Sequence, residues 1–394
     1  MNYRLAIVSR IPVVKLPGGY CTLDLWARDA NAQVGVVQSL TLICPIVKQI
    51  PEEWSGSVAL HPSIEVVGLC EAPALGAHVL RGCDVLQLPA NGWADSGPAR
   101  ALMRVARRLD KPVILGISSN RARTARMNAS GKGFLRKLRG ELRSLSIRAS
   151  QAYLASRADG VFIVGEGLRP LVQRWSPNIF VGTASWIQEA DLAAPRTDEL
   201  KGTSLRLGVA TRLEPMKGVH VAIDGFELLA SSSTGLAPSL AVIGAGPEKD
   251  RLVDRVRTKR LEGLVSFTHP VPYPGPFFQW LRQIDIVLLT NLNDEQPRLV
   301  FDAISQGCLP VCPDTEPYRR LGLPAILLAP QGDAAGLTRT IKDILSCDDL
   351  SGLRAVLLDI ARGSTIESMH AKRARWIRTT VLGGRGDAGQ SVSS

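Results

Sequence analysis

The chain has 394 residues, of which 45% are hydrophobic and 21% are charged, and it contains 36 glycines and 25 prolines. This length predicts two domains, and the composition excludes collagen-like, low-complexity and disordered classes for most of the chain. No apolar run reaches the roughly 18–20 residues of a membrane-spanning helix, and the apolar stretch ending at Ser9 is too short for a signal peptide. The seven cysteines form no Cys-x-x-Cys pair, so we interpret them as reduced thiols of a cytosolic protein.

The positive charge is concentrated in one segment. The whole chain carries a formal net charge of +11, whereas Arg100–Arg148 alone contains 14 lysines and arginines against only Asp110 and Glu141. The remainder of the chain is therefore close to neutral. Such a segment predicts an anionic partner, which can be a nucleic acid, anionic lipid headgroups or a phosphorylated acceptor.

Short apolar runs rich in β-branched residues alternate with helical patterns along the first half of the chain. The runs predict strands at Leu5–Ser9, Leu40–Pro45, Ile64–Leu69, Val85–Leu88, Pro112–Gly116 and Gly160–Val164. The patterns between them predict helices at Leu23–Gln33, Ala99–Leu109 and Phe134–Ser156. Runs that are apolar on both faces and alternate with helices are typical of buried parallel sheets.

The second half shows the same alternation. Its predicted strands are Arg206–Ala210, Leu240–Gly244, Val265–Thr268, Ile284–Leu289, Leu309–Cys312 and Ala325–Leu328. Its predicted helices are Val219–Ala230, Pro247–Arg260, Leu299–Gln306 and Ala334–Leu345. The expected fold class is therefore α/β, with two Rossmann-like domains built on parallel sheets.

A polar segment, Gln188–Ser204, separates the two series and predicts an interdomain linker. We expect a first domain at residues 1–190 and a second at 205–365. Residues 366–382 are expected to form a C-terminal helix that crosses back to the first domain, and the Gly- and Ser-rich residues 383–394 a disordered tail. Ligands are expected at the carboxyl ends of the strands and in the cleft between the domains.

The motifs that carry chemistry follow strands of the second half. Arg212 and Lys217 lie on a loop between a strand and a helix, where two cations can clamp a diphosphate. Gly244-Ala-Gly246 follows the next strand, but Lys249 stands where a dinucleotide fingerprint has its third glycine, which argues against NAD or FAD. Farther along come two aspartates, Asp294 and Asp302, and then the turn Gly307-Cys-Leu-Pro-Val311.

In order and spacing these motifs resemble the C-terminal half of the family 4 glycosyltransferases, most strongly over Leu205–Leu345. The resemblance implies the GT-B fold, in which two Rossmann-like domains face a central cleft. It implies transfer of a sugar from a nucleoside-diphosphate sugar to a glycan or lipid-linked acceptor, with retention of the anomeric configuration. It also implies no metal and no cofactor besides the donor substrate, and the chain contains no Asp-x-Asp motif.

The resemblance assigns roles to individual residues. Arg212 and Lys217 would bind the donor diphosphate and stabilise the departing nucleotide. Asp302 would contact the ribose hydroxyls, and Asp294 the donor sugar, with the adjacent Glu295 as its substitute. The remaining implied contacts on the donor side are Gly244, Gly246, Glu295, Arg298, Leu299 and His269, and those on the acceptor side are Gly18 and Gly19.

Departures from the family pattern leave alternatives open. The family has glutamates where this chain has Asp294 and Asp302, and Pro297 lacks a backbone N–H that the family supplies to the phosphates. The family's histidine after the strand at Pro112–Gly116 is missing as well. One alternative is therefore a catalytically weak GT-B paralogue that acts as a binding partner, and another is a nucleic-acid-binding protein that uses the basic segment.

From Phe134 onward, apolar residues recur at helical spacing with basic residues between them, which predicts an amphipathic helix with a cationic flank. Either its apolar stripe packs on its own sheet, or it contacts a membrane. We predict an anionic membrane surface as a partner, contacted through Arg136, Lys137, Arg139 and Arg143. The expected location is cytoplasmic, peripheral at the inner face of the cell membrane, and no nucleic-acid partner is expected.

Overall fold

The structure, a computed structural model, describes residues 3–51, 54, 56–69, 72–90, 92, 96–127, 133–196, 204–232, 235–293 and 298–383. The chain divides into two compact units, Met1–Thr183 with Glu367–Ser394, and Ala184–Ile366. The second unit begins at Ala184, before the expected linker at Gln188–Ser204. Ile187 belongs to this unit, since it is fully buried in its hydrophobic core. Of the expected linker, residues 197–203 lie outside the described residues.

The first unit combines two sheets with flanking helices. Its strands are β1 Arg4–Val8, β2 Val13–Leu16, β3 Gly19–Leu23, β4 Ser39–Cys44, β5 Ile46–Val47, β6 Ser57–Ala59, β7 Ile64–Gly68, β8 Val85–Pro89, β9 Val113–Ile117, β10 Gly160–Val164 and β11 Ile179–Gly182. Its helices before the second unit are α1 Asp24–Val34, α2 Ala72–Arg81, α3 Gly97–Arg108, α4 Arg121–Met127 and α5 Phe134–Ala155. A 3-10 helix at Glu166–Leu171 follows β10.

The main sheet of the first unit has seven parallel strands in the order β11-β10-β9-β8-β1-β4-β7. Side chains alternate across it, so that Ala6 and Val8 of β1 enter one core, with α3 and the end of α5. Leu5 and Ile7 enter the other core, with α1. This two-sided burial explains why the strands are apolar at nearly every position.

A smaller sheet has the order β5-β2-β3-β6. Gly18 and Gly19, the two residues predicted on the acceptor side, lie at its hairpin tip: β2 and β3 are antiparallel, Leu16 pairs with Gly19, and Pro17 and Gly18 make the turn. Their acceptor-side role stays a prediction. Gly19 has a φ of 143°, and the hairpin tip has open space around both glycines. Gly19, the first residue after the turn, thus has a φ that only glycine adopts readily.

The second unit is built on one parallel sheet with helices between its strands. Its strands are β12 Ser204–Ala210, β13 Ala237–Ile243, β14 Val265–Thr268, β15 Ile286–Leu288, β16 Leu309–Pro313 and β17 Leu328–Ala329. Its helices are α6 Val219–Ala230, α7 Lys249–Thr258, α8 Gly275–Leu281, α9 Leu299–Ser305, α10 Glu316–Arg319, α11 Ala334–Leu345 and α12 Leu350–Gly363. Within the described part of this unit, 3-10 helices lie at Glu189–Asp191, Pro215–Lys217 and Ala325–Leu327.

The six strands of the second unit are parallel, in the order β14-β13-β12-β15-β16-β17. From β12 the chain moves outward to β13 and β14, then returns to place β15 on the other side of β12. The strand order therefore reverses between β12 and β15. The predicted fold class, α/β with two Rossmann-like domains, is confirmed.

The last helix, α13 Ile366–Trp376, continues into a π-helical segment, Ile377–Leu382. Ile377 and Val381 are buried in the core of the first unit beside α1. Trp376 stacks on Phe180 of β11, with ring centroids 5.5 Å apart. The C-terminal segment is thus part of the first unit.

Candidate functional site

The reversal of strand order between β12 and β15 locates the candidate site. In open parallel sheets, ligands bind beyond the carboxyl ends of the strands at such a reversal, because the loops on either side diverge and leave a crevice. Here the segment 211–218 follows β12, and the segment 289–293 follows β15. The turn 244–246 after the neighbouring β13 lies on the same edge of the sheet.

Glycines at 244 and 246 let two loops touch backbone to backbone. Leu213 donates its N–H to the carbonyl of Ala245 at 2.9 Å, and Leu213 accepts from the N–H of Glu248 at 3.0 Å. A Cβ on Gly244 would lie 2.0 Å from the carbonyl oxygen of Thr211, and one on Gly246 would lie 2.4 Å from that of Leu213. The two glycines therefore hold the loop that carries Arg212.

The Arg212 side chain is accessible. It is 73% exposed, and its Nη1 lies 2.9 Å from Oε1 of Glu214, two residues along the same loop. An exposed ion pair of this kind contributes little stability, because water screens both charges. A diphosphate could therefore displace Glu214 from Arg212 at little cost.

Lys217 lies at the end of the 3-10 turn that leads into α6. Gly218 follows it in the left-handed conformation, with φ 62° and ψ 25°, and forms the N-terminal cap of α6. A Cβ at Gly218 would lie 2.1 Å from the carbonyl oxygen of Thr290. The Thr290 hydroxyl donates to the Lys217 carbonyl at 3.1 Å. Lys217 thus lies between the positive end of a helix dipole and the segment after β15, a setting that favours anions.

A buried amide network fixes the segment after β15. Tyr318 donates its hydroxyl hydrogen to Oδ1 of Asn291 at 2.8 Å. Asn291 donates from Nδ2 to the carbonyl of Asn293 at 3.0 Å, and Gln331 donates to the carbonyl of Asn291 at 3.1 Å. Sequence reasoning missed these residues, because Tyr318 and Gln331 lie 27 and 40 positions from Asn291 and no local pattern connects them.

The network ends where the next predicted residues begin. Asp294, Glu295 and Pro297 lie outside the described residues. Arg298 is described, and its guanidinium carbon lies 5.2 Å from the centroid of the Trp186 ring. Leu299 begins α9 and is half-buried against the core of the second unit.

Asp302 is a buried carboxylate on α9, only 7% exposed. The Tyr273 hydroxyl donates to its Oδ1 at 3.3 Å. Tyr273 comes from the aromatic segment between β14 and α8 and packs edge-on against Phe278, with centroids 5.3 Å apart. His269 begins that segment and is exposed. The structure therefore brings Asp302 to the loop after β14, and sequence reasoning missed its tyrosine partner.

Three buried cysteines have raised pKa values, and the described residues offer no metal cluster. Burial raises the pKa of Cys44 and of Cys308 to about 12 and that of Cys83 to about 11, so these thiols remain protonated. Among the described residues, no group of three or more His, Cys, Asp or Glu side chains could hold a metal ion.

The four cations predicted to contact a membrane, Arg136, Lys137, Arg139 and Arg143, are all exposed on α5. The apolar stripe of this helix does not pack on its own sheet, which was one of the two alternatives. Arg121, Arg123 and Arg126 lie on a short helix, α4. No helix within the described ranges is long and apolar enough to cross a membrane.

Comparison with known proteins places this site in a family context. Residues 195–357 match the sequence model of the family described as glycosyl transferases group 1. This range contains every residue that the sequence assigned to the donor side. No curated protein matches the chain by sequence.

Solved structures share the fold. Anabaena HepE in complex with UDP has a TM-score of 0.64 at 15% identity, over 96% of this chain and 100% of that one. Sucrose-phosphate synthase from Thermosynechococcus elongatus has a TM-score of 0.60 at 11% identity, over 98% and 100% of the two chains. A mutant of S. aureus TarM in complex with fondaparinux, alpha-GlcNAc-glycerol and UDP has a TM-score of 0.53 at 15% identity, over 77% and 58%. The chain has the GT-B fold of these structures.

Proposed function

We propose that the protein is a glycosyltransferase that takes a sugar from a nucleoside-diphosphate sugar and transfers it to a glycan or lipid-linked acceptor, with retention of the anomeric configuration. The single observation that carries this proposal is the position of Arg212 and Lys217. Both follow β12 at the reversal of strand order. Leu213, next to Arg212, is hydrogen-bonded to the turn after β13, and the Lys217 carbonyl accepts from Thr290 after β15. The match to group 1 glycosyl transferases covers the same loops.

The proposed reaction relies on charge and positioning. The anomeric carbon leaves the diphosphate oxygen, which keeps the bonding electron pair, and bonds to an acceptor hydroxyl oxygen, which releases its proton. Negative charge therefore grows on the diphosphate in the transition state. Arg212 and Lys217 would stabilise that charge, and the amide network around Asn291 would keep the facing segment in place.

We propose a uridine nucleotide as the first donor to test. HepE was solved with UDP, and also with UDP and glucose, and the TarM mutant was solved with UDP. In this chain, Asp302 with Tyr273 would contact the ribose, and the exposed His269 would lie near the base. Asp294 or Glu295 would contact the sugar.

The first prediction concerns UDP affinity. We expect Arg212→Ala and Lys217→Ala each to weaken UDP binding about tenfold or more in calorimetry, because a charge-assisted hydrogen bond contributes about 1.5–3 kcal/mol. Arg362→Ala is the matched control, since Arg362 is likewise an exposed arginine paired with a nearby carboxylate, that of Asp359. Glu214→Gln, which frees Arg212, should not weaken binding.

Two outcomes would contradict the proposal. Unchanged UDP affinity in both alanine variants would remove the assignment of the diphosphate site. UDP binding without sugar transfer from any donor would favour the weak paralogue, which the two family glutamates replaced by aspartates also favour. Where a product forms, the coupling constant of its anomeric proton in NMR tests retention.

A further inference from the structure

Helix α5 carries an apolar face that no described part of the protein covers. Five large apolar side chains along 12 consecutive positions of this 22-residue helix are between 47% and 80% exposed: Phe134, Leu135, Leu138, Leu142 and Leu145. Thirteen large apolar side chains are exposed among the described residues, and this helix alone holds these five. Isolated exposed leucines are ordinary, but a continuous stripe of them indicates an interaction surface.

The opposite face of α5 anchors the helix, although it is the less apolar one. Over its first five turns the buried positions are mostly small or polar: Gly140, Ser144, Ile147, Ser150 and Gln151. The hydroxyl oxygens of Ser150 and Ser96 lie 3.0 Å apart. Only the last turn, with Leu154 and Ala155, joins the core. The helix therefore packs by a small, polar face and presents its apolar face to solvent.

Cations border the apolar stripe on both sides. With about 100° per residue, Arg139 and Arg143 lie along one edge of the stripe, and Lys137 and Arg148 lie along the other. All four side chains are exposed. Glu141, the one acidic residue of α5, is bound by Arg126 of α4 at 2.8 Å. The border of the stripe is thus almost entirely positive.

We propose that this face of α5 docks on the surface of a lipid bilayer that contains anionic headgroups. Apolar side chains flanked by lysine and arginine match the two layers of such a surface: the leucines enter the boundary of the acyl chains, and the cations remain among the phosphates. The inference goes beyond the proposed transferase activity and rests on no part of the nucleotide site.

Like charge argues against a second copy of the chain as the occupant, and the exposed leucines argue against a nucleic acid. A second copy of the chain would bring the same cations along both edges of the stripe against its own, so that like charges would face each other. A nucleic acid would match the cations but would leave the leucines in water, because single-stranded bases stack on aromatic rings rather than on leucine. An anionic bilayer satisfies both parts of the surface.

The experiment is co-sedimentation of the full chain with vesicles of phosphatidylcholine alone, or of phosphatidylcholine with phosphatidylglycerol. We expect binding to the anionic vesicles to exceed binding to the neutral ones at least about tenfold. It should fall steeply from about 0.1 M to about 1 M salt, because the Debye length shrinks from about 10 Å to about 3 Å.

Two variants separate the parts of the surface. The apolar variant carries Leu138→Gln, Leu142→Gln and Leu145→Gln, and the charge variant carries Lys137→Gln, Arg139→Gln, Arg143→Gln and Arg148→Gln. Each should lose at least about tenfold in vesicle binding, while the salt dependence should survive only in the apolar variant. Because these side chains are exposed, both variants should keep the wild-type melting temperature, which shows that they fold.

The control removes four positive charges from other elements of the first unit. It changes four exposed cations to glutamine: Lys15 on β2, Lys48 after β5, and Lys372 and Arg375 on α13. Vesicle binding should be unchanged. Equal binding to neutral and anionic vesicles would overturn the proposal, as would full binding by either α5 variant. The proposal would also be overturned if the wild type formed a dimer that the apolar variant did not form. RNA that displaced the protein from anionic vesicles would overturn it too.

Discussion

Three glycines of the second unit each do what no other residue could do at that position. Gly244 and Gly246 bring the loop of Arg212 against the turn after β13, and Gly218 brings the turn of Lys217 against Thr290. At each of the three, a Cβ would fall within 2.4 Å of a backbone oxygen. A backbone atom cannot move aside as a flexible side chain can, so these contacts set how closely the segments that carry the two cations approach their neighbours.

Gly244→Ala tests this spacing. We expect it to lower the free energy of unfolding by about 1–3 kcal/mol through overpacking, and to weaken UDP binding as the Arg212 loop shifts. Gly263→Ala is the control, since the space around Gly263 is open and the residue lies in the same unit. Denaturant unfolding and calorimetry measure the two effects. If Gly244→Ala matches its control in both, the glycine does not position the loop.

Asp302 also belongs to the residue scale, because one oxygen of its carboxylate already has a partner in Tyr273. We expect Asp302→Asn to raise the apparent Michaelis constant for the donor and lower turnover, since it keeps the shape and loses the charge. Asp302→Glu should be tolerated, because glutamate is the residue of the resembled family. Tyr273→Phe should have a smaller effect than Asp302→Asn in steady-state kinetics. Full activity of Asp302→Asn, together with that of Asp294→Asn and Glu295→Gln, would favour the weak paralogue.

At the scale of the elements, three strands are each preceded by an aspartate that accepts a hydrogen bond from the neighbouring strand. Asp84 precedes β8 and accepts from the backbone N–H of Arg4 in β1. Asp159 and Asp285, before β10 and β15, accept in the same way from the adjacent strand. The distance is 2.8 Å in all three cases. Each carboxylate continues the hydrogen-bond ladder one step beyond the strand, which aligns the strands of both sheets.

Asp285 is the most demanding of these aspartates, because it is buried between two arginines. Arg196 and Arg206 each approach Oδ1 within 3.2 Å. Asp285→Ala should destabilise the second unit by about 3–5 kcal/mol, since the variant leaves Arg196 mostly buried beside no carboxylate. Urea unfolding provides the measurement. Asp254→Ala, which breaks an exposed ion pair with Arg257, should cost at most about 1 kcal/mol; equal losses in the two variants would contradict the role of burial.

At the scale of the whole molecule, a polar cluster attaches the C-terminal helix α13 to the first unit. His370 Nε2 lies 3.1 Å from Oδ1 of Asp29, and Arg373 donates to Oε1 of Gln33 at 3.0 Å. Both α13 side chains are at most 3% exposed. Helices α13 and α1 are therefore joined by charged and hydrogen-bonded groups, which fixes the register of α13 on α1.

This cluster predicts a pH dependence of stability. Burial raises the pKa of Asp29, but the neighbouring His370 and Arg373 lower it by more, so the net pKa lies below its ordinary value. The stabilisation is therefore complete above the ordinary pKa of about 3.9 and is lost as the pH falls toward the lower folded value. Urea unfolding should show a deficit in Asp29→Asn that is present at about pH 5 and shrinks below about pH 4. A deficit that stays constant or grows on acidification would contradict this account.

Much of the sheet framework could be predicted because its signals are local. The strands Gly160–Val164 and Val265–Thr268 and the helices Val219–Ala230 and Ala334–Leu345 have the predicted bounds. A run of apolar residues, or their recurrence every three to four positions, records burial on both faces or on one. The motifs around Arg212 and Gly244 were visible for the same reason.

Contacts between distant positions decided the rest. The hairpin of β2 and β3 was missed because its small sheet is completed by β5 and β6, which no local pattern announced. The same holds for the partners of Asn291 and Asp302, which come from other elements.

Helix α5 separates what the sequence determined from what the tertiary structure decided. The sequence by itself determined that the helix is amphipathic and basic, since periodicity and charge are properties of the chain. It did not determine which face would be buried, because the same apolar stripe occurs on helices that pack on a core and on helices that face solvent. Only the tertiary structure decided this: Gly140 and Ser144 lie against the protein, and Leu138 and Leu142 lie outside. The buried face of α5 is therefore the one with the smaller side chains, although it is the less hydrophobic of the two.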